Sequence, residues 1–154
     1  MADVILNVNG ASKTIAVDPA CPLLYVLMDT YGLRGPKLGC GLAQCGACTV
    51  LMDGNPYRSC TLPVSAAKGT IVTLEGLGTI DNPHPIQRAF IEEQALQCGF
   101  CISGPVLYGK AFIDKNPNAN ALQVQQALSG IICRCHSHPR MVKALLRYAK
   151  DVKA

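Results

Sequence analysis

Eight of the nine cysteines in this 154-residue chain fall into two groups of four. The first group is Cys40, Cys45, Cys48 and Cys60, spaced C-x4-C-x2-C-x11-C. That spacing matches the plant-type pattern for a [2Fe–2S] cluster, C-x4-C-x2-C followed by a distant fourth cysteine. Two bridged irons need four thiolates, presented by a loop able to wrap them. Gly39, Gly41 and Gly46 give the loop backbone freedom to fold close to the sulfides. Its amides can then point at sulfur, which tunes the redox potential.

Two other uses of these thiols compete. A four-cysteine zinc site would show two short C-x2-C pairs, and only Cys45/Cys48 is one here. Disulfides call for an oxidising compartment, for which nothing in the chain argues. The ninth cysteine, Cys21, is read as a small buried hydrophobe.

The second group pairs Cys98-x2-Cys101 with Cys133-x-Cys135 across a helical stretch. Alone it is less specific. Two close pairs could hold zinc, and Cys98-Gly99-Phe100-Cys101 has the form of a thioredoxin-like redox pair, although no βαβ pattern surrounds it. Beside the first group it reads as a second [2Fe–2S] site and a redox partner.

Two kinds of structure must position these groups. Val4, Leu6 and Val8 alternate with Ile5, Asn7 and Asn9, and Asn9-Gly10 offers turn chemistry before Thr14–Val17, which predicts a hairpin. Leu23, Leu24, Leu27 and Met28 predict a helix from Pro22 to Tyr31, stopped by Gly32. Thr49–Met52, a turn over Asp53–Pro56 and Tyr57–Leu62 predict a second hairpin, and Ile71–Leu74 a further strand.

Gly76–Pro85 is rich in Gly, Asn and Pro and reads as a linker. After it, helices are expected over Pro85–Gln94, Pro105–Asn116, Ala121–Leu128 and Pro139–Val152, with Pro105 and Pro139 at first helical positions. The last carries an apolar stripe of Met141, Val142, Leu145, Leu146, Ala149 and Val152. The expected division is residues 1–76, a linker over 77–84, and residues 85–154.

Composition narrows the field. A 49% hydrophobic fraction supports a core, and 16% charged residues, against an average of about 25%, suggests surface covered by a partner. The formal charge of +4 is dispersed, with no Lys/Arg run to suggest nucleic acid. Each oxidised [2Fe–2S] core with four thiolates carries about −2, so two bring the total to roughly zero. Met1–Val17 lacks the pattern of a secretory leader and no apolar run could span a bilayer. The expected location is the cytoplasm, with export or membrane association through a signal-bearing partner as the alternative.

The motifs CGLAQCGACTV, QCGFC and ICRC, in this order and spacing, resemble the small iron–sulfur subunit of molybdenum hydroxylases, the xanthine oxidase and aldehyde oxidoreductase family. The resemblance runs from the Val4 hairpin to the last helix. It implies an α+β fold, with an N-terminal β-grasp ferredoxin-like domain followed by a C-terminal four-helix [2Fe–2S]-binding domain. It implies two [2Fe–2S] clusters, and a large partner subunit whose molybdopterin lies beside the helical-domain cluster and is touched by Gln97 and Cys135. The ferredoxin-like cluster then faces the next acceptor: a cytochrome, a flavin subunit or another carrier.

The sequence departs from the family after Cys135, where His136-Ser137-His138-Pro139-Arg140 replaces the usual small residue, Gly and aromatic. His138 is expected to cap the last helix and His136 to lie beside the cluster or at an interface. No acid–base pair or nucleophile constellation is present, so substrate chemistry is assigned to another chain. The alternatives are a free-standing ferredoxin-like electron shuttle and a zinc-stabilised interaction module.

Overall fold

The computed structural model describes residues 1–153; Ala154, the last residue of the expected second domain, lies outside them. Strands β1 (Ala2–Val8), β2 (Ala11–Val17), β3 (Thr49–Met52), β4 (Asn55–Arg58) and β5 (Thr70–Val72) form one sheet in the order β2-β1-β5-β3-β4. β1 and β5 run parallel, and the other neighbours run antiparallel. Leu6 and Val8 turn into the core while Ile5 faces solvent, as the alternation requires. Asn9 and Gly10, both at positive φ, close the first hairpin.

The second hairpin turns earlier than the sequence suggests. Asp53 and Gly54, at φ 49° and 77°, make the whole turn, and Pro56 lies inside β4. β4 is an edge strand, where a missing N–H removes no ladder bond. The strand stops at Arg58 rather than running to Leu62, because Ser59 and Leu62 turn their carbonyls to the amides of Leu24 and Leu23.

Helix α1 (Leu23–Tyr25) widens at once into a π-helical turn over Val26–Thr30, and Pro22 precedes it in a bridge to Pro63. This element buries Leu23, Leu24, Val26 and Leu27 against the sheet. Cys21 is packed at the edge of the same core.

β5 ends at Val72, short of Leu74, because the next residues are committed to a clamp. Asn9 accepts from the Thr73 amide at 2.9 Å, and Leu74–Gly76 forms a 3₁₀ turn. The Glu75 carboxylate then accepts from the amides of Arg34 (2.8 Å) and Gly35 (2.5 Å) and the hydroxyl of Thr73 (2.7 Å). This fastens the entry to the Cys40 loop.

Burial pushes the Glu75 carboxyl up, but Thr73 and the amides of Gly35 and Arg34 outweigh it and hold its pKa below the ordinary value. A depressed folded pKa means stability that is present above the unfolded pKa and lost as pH falls. In denaturation measured across pH, wild type should therefore be more stable than Glu75→Gln near neutrality, with the gap closing below roughly pH 4.3.

The second half is helical: α2 (Pro85–Glu92), a π-helical turn over Gly104–Tyr108 continuing into α3 (Gly109–Lys115), α4 (Ala121–Ala127) and α5 (His138–Lys153). Pro105 is therefore the second residue of its helical segment, and Pro139 the second of α5. α2 ends two residues short of Gln94, which adopts φ 47°. On α5 the buried stripe is Met141, Ala144, Leu145, Tyr148 and Ala149, while Val152 is largely exposed.

Residues 77–84 are not a loose spacer. Leu77 packs against the helical core and also against a small cluster of Leu51, Leu107 and Ala111 that joins the two halves. His84 ends the segment by capping α2, its side chain accepting from Ile86 while Gln87 accepts from the His84 amide.

Candidate iron–sulfur site

The Cys40 loop turns its amides inward. The N–H groups of Leu42 and Gln44 reach the Cys40 sulfur at 3.3 Å and that of Cys45 at 3.4 Å, while the Cys40 amide reaches the Cys45 sulfur at 3.4 Å. The three amides from Leu42, Cys45 and Gln44 lower the Cys40 thiol to about 6. Such a nest suits a bound thiolate. Gly39 is required at its place, since a Cβ there would stand 2.7 Å from the Cys45 sulfur.

Cys48 and Cys60 close the group from the residue before β3 and the end of the second hairpin, packed under Leu24 and Met28. Burial pushes the Cys48 thiol up to about 11, with Cys60 as its neighbour. Four thiols from the loop, the start of β3 and the hairpin end are thus brought together, part exposed and part buried.

The second group is assembled from two loops. Cys98 and Cys101 lie between α2 and the helical segment that begins at Gly104, and Cys133 and Cys135 lie between α4 and α5. The Cys98 and Cys135 thiols are close enough to perturb each other, as are those of Cys101 and Cys133. Burial pushes Cys101 up to about 12. Burial also opposes ionisation of Cys133, but the amides of Ser137 and Cys135 prevail and hold its thiol below the ordinary value.

All nine cysteines are free thiols. Among the described residues, no three Cys, His, Asp or Glu side chains are gathered as a single metal ion would hold them. The donor chemistry suits a larger, sulfur-rich core: four thiols per group with backbone amides aimed at sulfur. A second sign lies in the polar atoms. Among the described residues, three buried side-chain atoms lack a hydrogen-bond partner, and two of these, Ser103 Oγ and Ser137 Oγ, lie within two residues of a cysteine of the second group.

The two groups adjoin. The Ile132 amide, next to Cys133, donates to the Cys45 carbonyl at 2.9 Å. A cavity of about 270 Å³ is lined by Cys40 and Cys45 from one half and by Cys98, Cys101 and Cys133 from the other. Around it, Gly104 brings its helix close to the Gly46 carbonyl, and a Cβ on Gly104 would stand 3.0 Å from that oxygen. Arg58 spans the seam, donating to Thr49 and, at 3.1 Å, to the Gly130 carbonyl.

Gln97 lies on the surface beside the second group, its amide donating to the Cys135 carbonyl at 3.4 Å. Contrary to the expectation from sequence, His138 does not cap the last helix. The helix starts at His138 itself, so Ser137 occupies the cap position, and the His138 ring instead meets the Ile131 carbonyl at 2.9 Å. His136 is exposed, in the left-handed region at φ 55°. Arg58 and Ile132 carry no signal in the sequence, because a seam between distant loops leaves no local pattern.

The fold and these paired cysteine sets define a two-domain iron–sulfur protein. A family model described as "2Fe-2S iron-sulfur cluster binding domain" matches residues 6–70, and one described as "[2Fe-2S] binding domain" matches 73–146. The chain is 45% identical over 148 residues to one of the subunits of nicotinate dehydrogenase from Pseudomonas putida, covering 96% of this chain and 94% of that one. It is 41% identical to the alpha chain of isoquinoline 1-oxidoreductase from Brevundimonas diminuta, over 98% of this chain and 99% of that one.

Among solved structures, quinoline 2-oxidoreductase from Pseudomonas putida superposes with TM-score 0.92 at 32% identity, covering 99% of this chain and 96% of that one. The aldehyde oxidoreductase of Desulfovibrio desulfuricans superposes at 0.93 and 36%, this chain covering 17% of that longer one. The chain belongs to the iron–sulfur subunits of the molybdenum hydroxylase family, electron-transfer subunits of oxidoreductase complexes that carry [2Fe–2S] clusters. No described helix is long and apolar enough to cross a membrane.

Proposed function

We propose that Cys40, Cys45, Cys48 and Cys60 hold one [2Fe–2S] cluster and Cys98, Cys101, Cys133 and Cys135 the other, and that electrons enter at the second group and leave at the first. Residues 1–76 and 85–154 are the two cluster-bearing units, joined by 77–84. Each cluster, when bound, supplies storage for one electron. The chain's part is to hold the thiolates, screen their charge with amides, and bring the two sets together. The observation that carries this reading is the 2.9 Å bond from the Ile132 amide to the Cys45 carbonyl, which ties a residue beside Cys133 directly to Cys45.

The entry side faces a large subunit holding molybdopterin, touched by Gln97 and Cys135. The nicotinate and isoquinoline enzymes named among the relatives favour an N-heteroaromatic substrate on that large chain, with an aldehyde as the second reading. The exit side is the Cys40 loop, where Leu38 and Leu42 stand 42% and 67% exposed. They offer an apolar landing for a cytochrome, a flavin subunit or another carrier. The complex is assigned to the cytoplasm.

A monomer purified from the native source without a molybdenum-containing companion would instead favour a free shuttle. A more local test is Gln97→Leu. Its bond to the Cys135 carbonyl holds the amide at the cluster's edge, where a neutral group can face the partner without adding charge. A bond of this type contributes about 0.5–1.5 kcal/mol net, so the defect should be partial. Both clusters should assemble, while large-subunit docking weakens or cluster reduction by substrate slows in stopped flow. Unchanged assembly and rates would make Gln97 an ordinary surface amide.

A further inference from the structure

Ser137 is 3% exposed, and its Oγ lacks a partner of ordinary hydrogen-bond geometry. This is unusual for its position. Ser137 stands at the cap of α5, with its carbonyl accepting from the Arg140 and Met141 amides at 3.0 Å. A serine at that place ordinarily turns its oxygen to one of the first free amides of the helix. Ser137 does not, so its buried hydroxyl is left without the helix, and a buried donor without an acceptor costs free energy.

Sulfur lies close by along the chain. Ser137 follows Cys135 by two residues and Cys133 by four. Its amide and its hydroxyl are both neighbours of the Cys133 sulfur.

We propose that the Ser137 hydroxyl donates to the Cys133 thiolate and so sets the reduction potential of the second cluster. The inference rests on the ligand assignment above. Reduction adds one electron to the cluster and places more negative charge on its sulfurs. A donor to sulfur therefore stabilises the reduced form more than the oxidised one and raises the potential. No proton or further reactant enters the step. Ser137 is a positioning residue, acting through Cys133.

The test is redox titration of the whole chain loaded with both clusters, followed by low-temperature spin resonance. Ser137→Ala should lower the potential of the second cluster. At the wild-type midpoint the oxidised form should outnumber the reduced by up to about tenfold, equivalent to about 59 mV for a one-electron couple. The first cluster should keep its potential, and Ser137→Thr, which retains the hydroxyl, should keep both. Ser137→Gly also removes the hydroxyl while suiting a helix cap, so a folding defect in the alanine variant cannot hide the result. An unchanged second potential in both variants, equal shifts of the two clusters, or the same shift in the threonine variant would overturn the proposal. Wild type with no second spin signal would instead overturn the ligand assignment, and the proposal with it.

Discussion

Cys45→Ser should abolish the spin-resonance signal of the first cluster and leave the second, and Cys101→Ser should do the reverse. Each proposed ligand set is complete within its own half of the chain, and serine is a poor substitute for a thiolate ligand to iron. The structure sharpens the expectation for Cys45. The seam between the halves uses its backbone carbonyl, bonded to Ile132, and a side-chain exchange leaves that bond in place. The Cys101 side chain is buried in the helical core, so its replacement should also lower the stability of that half. Loss of both signals in a folded single variant would contradict two separate sites.

Ile132→Pro should leave both clusters assembled and at unchanged potentials, yet slow the passage of electrons between them. Proline removes the one N–H that donates to the Cys45 carbonyl. Ile131, at φ −110° and ψ 120°, already holds the extended conformation that a residue before proline needs. The Ile132 side chain is 62% exposed, so little packing is lost. The stability cost should be about 0.5–1.5 kcal/mol, the net value of one hydrogen bond. In rapid-reduction experiments the second cluster should fill at the wild-type rate while the first lags behind it. Ile132→Ala, which keeps the amide, should behave as wild type. An unchanged rate at the first cluster in the proline variant would remove this bond from the electron path.

Much of the site is legible in the chain because iron–sulfur ligation is written in spacing. The interval from Cys40 to Cys48 specifies a loop whose amides turn onto sulfur, and alternation in Val4–Val8 specifies a half-buried strand, both local signals. Where a residue has a long-range partner, the local pattern misleads. Leu74 continues the apolar run of β5, but Thr73 and Glu75 are held by Asn9 and by the Gly35 amide, and the chain turns. His138 has the right place for a cap by eye, yet its ring goes to Ile131, and the cap position passes to Ser137. His84, the histidine that does cap a helix, is hidden in a segment with the composition of a linker. The bond between Ile132 and Cys45 joins residues brought together only by the packing of two domains, and no periodicity reports it.

The central claim is that the two cysteine groups hold iron and sulfide and carry electrons. Iron, zinc and acid-labile sulfide, measured together on the purified chain, test it most directly. Iron and sulfide should be present in equal amounts, enough for two [2Fe–2S] centres per chain. Zinc in place of iron, with no sulfide released by acid, would contradict it.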